Sequence, residues 1–171
     1  MKQINAIEHK IVAVQDLSST VDALKLNGRR IVFTNGCFDI LHVGHVTYLS
    51  AAKDLGDVLI VGLNTDNSVK QLNKGTDRPV NNEMSRAFLL ASLAMVDYVV
   101  LFNDSNPLKL IETLIPNVLV KGGDYDPNET DASSKKYIVG SDIVRKNGGD
   151  VCIIDLVEGY STTSILQKIK A

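Results

Sequence analysis

The chain has 171 residues, 44% of them hydrophobic and 22% charged, with a mean hydropathy of +0.05, a composition that fits one globular domain and excludes a disordered or fibrous chain. A formal net charge of −2 and a pI near 5.9 exclude the basic excess of a nucleic-acid binder, and no apolar run approaches the ~20 residues that span a bilayer, so neither nucleic acid nor membrane is expected as a partner. Cys37 and Cys152 lack CxxC spacing and Met1-Lys2-Gln3-Ile4-Asn5 carries no apolar signal core, which reads as a cytoplasmic protein with reduced thiols.

In chain order, Ile4, Ile7, Ile11 and Val14 form a stripe at helical spacing that needs a surface to cover. Residues 17–26 read as a second helix, capped by Asp16 or Ser18 and ended by Asn27-Gly28. Residues 1–28 are thus expected to form a helical segment packing on the body of the molecule or on a partner subunit, which allows a homodimer. Residues 29–171 are expected to form one domain. Short Val- and Ile-rich runs at 31–33, 58–63, 98–102, 118–120 and 151–156 read as buried parallel strands. Between them lie helix patterns at 46–55, stopped by Gly56, at 83–96 after Asn82, and at 108–115, opened by Asn106-Pro107 and closed by Pro116. The stretch at 124–139 is polar and aperiodic, the signature of a lid or mobile insertion. The alternation predicts an α/β, Rossmann-like, doubly wound parallel five-stranded sheet with helices on both faces and ligands at the strands' carboxyl ends.

The strongest chemical signal follows the first of these strands: Thr34-Asn35-Gly36-Cys37-Phe38-Asp39-Ile40-Leu41-His42-Val43-Gly44-His45. Two histidines three apart at a helix start project from one side of its first turn, where free N–H groups and the positive dipole end favour a phosphate, and Gly36 and Gly44 permit close backbone approach. Zinc is the competing use of paired histidines, with Asp39 nearby, but no further ligand stands at zinc spacing. No resident metal is expected; Mg²⁺ carried in with a nucleoside triphosphate suits the site better. Lys70, Lys74 and Arg78 follow the second strand in a polar stretch and can reach phosphates, and Arg86 lies one turn into the next helix. Lys121-Gly122-Gly123-Asp124 ends another strand and offers close approach to a flat base, or a plain tight turn. Ser161-Thr162-Thr163 opens the last helix, with Ser161 as its N-cap and the hydroxyls and amides as a second anion cradle.

In this order the motifs resemble the cytidylyltransferase-like branch of the nucleotidyltransferases, marked by HxGH after the first strand and an STT-type motif before the last helix. His42-Val43-Gly44-His45 and Ser161-Thr162-Thr163 supply both. Residues 31–66, 78–81, 119–125 and 157–163 further resemble the subgroup that adenylylates D-glycero-D-manno-heptose 1-phosphate in ADP-heptose synthesis for lipopolysaccharide. That subgroup is often fused to a sugar kinase; here the resemblance implies a separate kinase. The segment at 126–139 is longer than the resemblance leads one to expect.

The resemblance implies transfer of AMP from ATP to the sugar phosphate with release of pyrophosphate. His42, His45, Lys74 and Thr162 would be catalytic. Thr34, Asn35, Gly36, Cys37, Phe38 and Gly44 would line the triphosphate and ribose, Lys121, Gly122, Gly123 and Asp124 the base, and Ser161, Thr162 and Thr163 the opposite wall. Asp39, Asn64, Asp66, Arg78 and Arg86 would meet the sugar phosphate. The alternatives are a CTP-dependent transferase acting on glycerol 3-phosphate or a phospho-alcohol, and a nucleotide-binding regulator without turnover.

Overall fold

The structure, a computed structural model, describes residues 1–72, 78–123 and 125–170. Six parallel strands form one sheet: β1 (Ile11–Val12), β2 (Ile31–Gly36), β3 (Val58–Asn64), β4 (Tyr98–Phe102), β5 (Val118–Gly122) and β6 (Asp150–Ile154), in the order β1-β4-β3-β2-β5-β6. The helices are α1 (Lys2–Glu8), α2 (Val14–Leu26), α3 (Val43–Lys53), α4 (Asp66–Gln71), α5 (Glu83–Ala91), α6 (Leu108–Leu114), α7 (Ser141–Lys146) and α8 (Thr162–Lys170). β3 is buried at every residue, as a strand that is apolar up to its final Asn64 and lies between two layers of helices must be. One core lies on each face of the sheet. Val32, Leu49, Leu59, Val61 and Leu90 anchor the first, and Leu17, Ile31, Phe33, Ile60 and Ile111 the second.

The expectation of five strands is corrected to six. Ile4, Ile7, Ile11 and Val14 were expected on one helix, but the chain breaks after Glu8 and Ile11–Val12 pairs with the open edge of β4, Ile11 opposite Val99. An exposed strand edge carries a row of unpaired amides and carbonyls, and a two-residue strand that covers it satisfies more backbone than another helical turn. Val99 donates its N–H to the Lys10 carbonyl at 2.8 Å, and the Lys10 ammonium caps the Leu93 and Val96 carbonyls at 3.3 and 2.7 Å. Most of the stripe packs within the chain, Ile7 and Ile11 on one core and Val14 with its neighbour Val12 on the other, while Ile4 stays exposed.

Local boundaries also shift. α2 begins at Val14 with Ala13 as its cap residue, so neither Asp16 nor Ser18 caps it. α3 starts three residues earlier than its apolar pattern, with His42 as cap residue. α5 ends at Ala91, short of residue 96. The polar stretch after β3 contains α4, whose Thr65 hydroxyl accepts the Ser68 N–H at 3.2 Å. That cap signal was present in the sequence, but a six-residue helix is too short to show periodicity.

The arrangement of β2 and β5 positions everything that follows. From β2 the chain runs outward through β3 and β4 in one direction and returns to place β5 and β6 on the other side, so the connections diverge between β2 and β5. β2 pairs with β3 over six residues but with β5 at Val32–Val118 and Phe33–Leu119 alone. Beyond Phe33 the two strands part, and the sheet opens a crevice at its carboxyl end, the place where open α/β sheets bind ligands.

Candidate active site

His42 caps α3 in extended backbone (φ −141°, ψ 169°), which swings its ring over the helix start, and His45 follows within the first turn. The two imidazoles stack with centroids 3.8 Å apart at 24°, Phe38 tilts against His45 at 5.3 Å, and Tyr160 stacks on His42 at 6.5 Å. Gly44 leaves room for this packing. A Cβ there would lie 3.0 Å from His42 Nδ1 and 3.2 Å from Tyr160 Cβ, tighter than ordinary contact. Phe38 itself adopts a left-handed backbone (φ 45°), an unusual state for a bulky residue that turns its ring back toward His45.

Burial lowers both imidazoles: His42 is held below its ordinary value, and His45, more deeply placed and beside His42, is pushed down to about 4. Both rings are therefore held toward the neutral form at physiological pH. Their Nδ1 atoms are buried without a hydrogen-bond partner among the described residues. Buried polar groups with a structural role are normally bonded, so the unpartnered nitrogens mark this pair as the candidate ligand-facing donors of the site.

Around the histidines lies a cavity of about 300 Å³, bounded by Asn35, Gly36, Cys37 and Phe38 after β2, Lys121 and Gly122 at the end of β5, and Ser161 and Thr162 at the start of α8. Its wall also includes Tyr48, Tyr125, Leu156, Val157 and Tyr160, which the sequence reading missed. Tyr48 had a signal: it follows His45 by three residues and shares its helix face. Ser161 caps α8 as expected, its hydroxyl accepting the Ser164 N–H at 3.0 Å while the Ser164 hydroxyl accepts the Ser161 N–H at 3.2 Å. A second cavity of about 360 Å³ shares Asn35, Gly36, Cys37, Lys121 and Tyr125 with the first and continues past Asn64 of β3 and Ser105, Asn106 and Pro107 before α6. Lys121 stands on the shared wall and donates to Asn35 Oδ1 at 2.5 Å across the crevice.

Four expected ligand contacts take other positions. Thr34 is fully buried and its hydroxyl shares a 2.6 Å hydrogen bond with Tyr48, so it backs the wall instead of lining it. Arg86 is also fully buried: its guanidinium donates to the carbonyls of Cys37, Asn64 and Asn81 and to Asp66 Oδ1, at 2.7 to 2.9 Å. With four of its five N–H groups donated to protein acceptors and its side chain fully buried, it holds the loops after β2 and β3 together and presents no exposed face to a substrate. Asp39 is 2% exposed, and its carboxylate accepts the Val80 and Asn81 amides at 2.9 Å. Asp66 is engaged by Arg86.

Arg78 remains near the site; its guanidinium donates to the Thr163 hydroxyl at 3.3 Å, which joins the polar stretch to the last helix. Gly123 follows β5 with φ 88°, a turn position that suits glycine, and its Cβ position faces Leu156. Lys74 and Asp124 lie outside the described residues. Among the described residues no group of three or more His, Cys, Asp or Glu is arranged to hold a metal ion, and no helix is long and apolar enough to cross a membrane.

Comparison with known proteins agrees with this geometry. The family model for cytidylyltransferase-like proteins matches residues 33–168. The bifunctional protein HldE of Geobacter metallireducens is 52% identical over 160 residues, and that of Helicobacter pylori strain P12 is 50% identical over 167 residues. The matches cover 94% and 98% of this chain but 31% and 32% of those proteins, so the chain spans about a third of the length of its curated relatives. Among solved structures, the lipopolysaccharide core biosynthesis protein from Thermoplasma volcanium superimposes with a TM-score of 0.57 at 29% identity, over 78% of this chain and 99% of that one. The pantoate-beta-alanine ligase of Francisella tularensis, at 19% identity and a TM-score of 0.58, covers 94% of this chain and 76% of its own and shares the fold. A sheet split beside stacked HxGH histidines, closed by the STT-type helix start and matched along most of its length, places the chain in the cytidylyltransferase-like family.

Proposed function

We propose that the chain is an adenylyltransferase that moves AMP from ATP to D-glycero-D-manno-heptose 1-phosphate, giving ADP-heptose and pyrophosphate. The carrying observation is the pair of cavities that meet at Asn35, Gly36, Cys37, Lys121 and Tyr125, one of them walled by the stacked histidines. A reaction between two phosphorylated substrates needs two adjoining sites with the reacting groups at their common boundary. The bifunctional HldE relatives support the sugar nucleotide as product, and the Thermoplasma protein's role in lipopolysaccharide core biosynthesis is consistent with it.

In this reading ATP occupies the histidine cavity and the sugar phosphate the second. An oxygen of the sugar 1-phosphate attacks the α-phosphorus of ATP in line, the bond to the bridging oxygen breaks, and pyrophosphate leaves. The attacking phosphate monoester has a second pKa near ~6 and is already ionised at neutral pH, so no general base is needed. The work of the protein is to position two polyanions and neutralise their charge. The N–H groups of His42 and His45 and the free amides at the starts of α3 and α8 face the triphosphate, and Lys121 sits where the two substrates meet. Lys74 is assigned to the phosphates from its sequence position alone. In this reading Mg²⁺ arrives as part of the nucleotide substrate: Asp39 is committed to backbone amides and Asp66 to Arg86, and among the described residues no carboxylate set is arranged to hold the ion.

Pyrophosphate release measured with ATP and with CTP, each with heptose 1-phosphate and with glycerol 3-phosphate, tests the proposal. Release confined to ATP with the heptose phosphate is expected. Release with CTP would redirect the assignment to a cytidylyltransferase, and nucleotide binding without turnover on either acceptor would favour a regulator. Chelation by EDTA is expected to abolish turnover and added Mg²⁺ to restore it; full activity in EDTA would remove the ion from the substrate.

A further inference from the structure

The second cavity has a wall that the site described so far does not use. Lys135, Tyr137 and Val139 all come from the 126–139 segment, the stretch longer than the sequence resemblance led one to expect. This segment is firmly tied to the body of the molecule. The Asp126 N–H donates to the Lys136 carbonyl at 3.0 Å and closes the loop at its base, Arg145 of α7 bonds the Pro127 carbonyl, and the Tyr137 hydroxyl donates to Asp142 at 3.1 Å. Within it, Glu129 accepts the Thr130 and Asp131 amides and Asp131 accepts the Ser133 amide, each at 2.9 Å. Ile138, 1% exposed, is driven into the core beside Ile111 and Val144. A segment pinned at both ends and by its own core residue presents the side chain at Lys135 from a fixed scaffold.

The charge pattern names the ligand class. Among the described residues that bound the second cavity, Lys121 and Lys135 are the charged ones, the rest are apolar or neutral polar, and there is no carboxylate. At about 360 Å³ the space falls in the ~300–1,000 Å³ range of small-molecule sites. Two cations on opposite segments of a concave wall with Asn, Ser and Tyr hydrogen-bonding groups between them suit a phosphorylated polyol. Lys121 belongs to both cavities, whereas Lys135 belongs to the second alone.

We propose that the 126–139 segment is part of the acceptor site and that Lys135 binds the sugar phosphate without contacting the nucleotide. The inference rests on the transferase reading for the identity of the acceptor. Lys135 is solvent-exposed, so its replacement leaves the core untouched, and Lys136, exposed and outside the cavity wall, is the matched control.

In steady-state kinetics, Lys135→Ala should raise KM for heptose 1-phosphate at least tenfold and leave KM for ATP within twofold. Lys135→Arg should recover most of the loss, and Lys136→Ala should match wild type. A change of less than twofold for the sugar phosphate, or equal rises for both substrates, would overturn the assignment. Calorimetric titration of heptose 1-phosphate into wild type and Lys135→Ala, with a non-hydrolysable ATP analogue bound, separates this claim from the one beneath it. If wild type shows no turnover yet binding weakens tenfold in the variant, the reaction is misread and the anion site stands. Equal binding in the two proteins removes the site.

Discussion

Two imidazoles stacked at 3.8 Å cannot both be charged without repelling each other, and burial pushes the pair further toward neutrality. In the proposed reading, neutral donors cost nothing in Coulomb energy before the nucleotide arrives, and the triphosphate would raise their proton affinity on binding. Replacing His45 by Ala should lower kcat by ~10²-fold or more with the melting temperature within a few degrees of wild type, because a donor aimed at the transition state is worth about 3 kcal/mol. Turnover close to wild type in that variant would exclude His45 from catalysis.

The same burial makes a pH signature. His45 titrates near 4 in the folded protein and at its ordinary 6.5 in the unfolded chain, so between those values the unfolded state binds more protons. The stability tied to its neutral form is complete above about pH 6.5 and is lost as the pH falls toward 4. Thermal unfolding should show a melting temperature that drops across this window, and His45→Gln should drop less steeply. Parallel profiles for the two proteins would assign the drop to other groups.

Among the secondary-structure elements, the loops after β2 and β3 are joined by one side chain. Arg86 projects from the first turn of α5 and bonds three carbonyls and one carboxylate from three separate segments. The sequence showed a cation one turn into a helix, which fits a substrate contact equally well; complete burial is a property of what surrounds a residue, and its sequence position carries no trace of it. Arg86→Met keeps most of the volume but leaves these acceptors unpaired, and should cost about 3 kcal/mol in urea unfolding. A loss below about 1 kcal/mol would mean that water replaces the guanidinium at little cost. The start of α3 was far more legible, since glycine between two histidines after a strand has few other uses, and the structure adds the steric reason: a Cβ at Gly44 would press on the His42 ring at 3.0 Å.

Across the fold as a unit, the sheet begins with a strand of two residues whose pairing closes the β4 edge. Deleting residues 1–13 would remove Ile7 and Ile11 from the core and bare that edge. The truncated protein should unfold at lower denaturant, by on the order of 3 kcal/mol, and self-associate through the exposed strand. Sedimentation as a single species with unchanged stability would show that the segment is an appendage.

The alternation of strands and helices, the turn from β2 into α3 that carries Gly44 and its two histidines, and the cap at Ser161 were all legible along the chain, because periodicity and capping are set by neighbours within a few residues. The partition of the site into two cavities was not. It depends on where β5 stops pairing with β2, on Lys121 reaching Asn35 across 86 positions, and on Lys135 arriving from a segment with no period of its own. Burial redefined Thr34, Asp39 and Arg86 for the same cause: a polar side chain becomes scaffold or contact according to which distant segments close over it, and that closure exists only once the sheet has assembled.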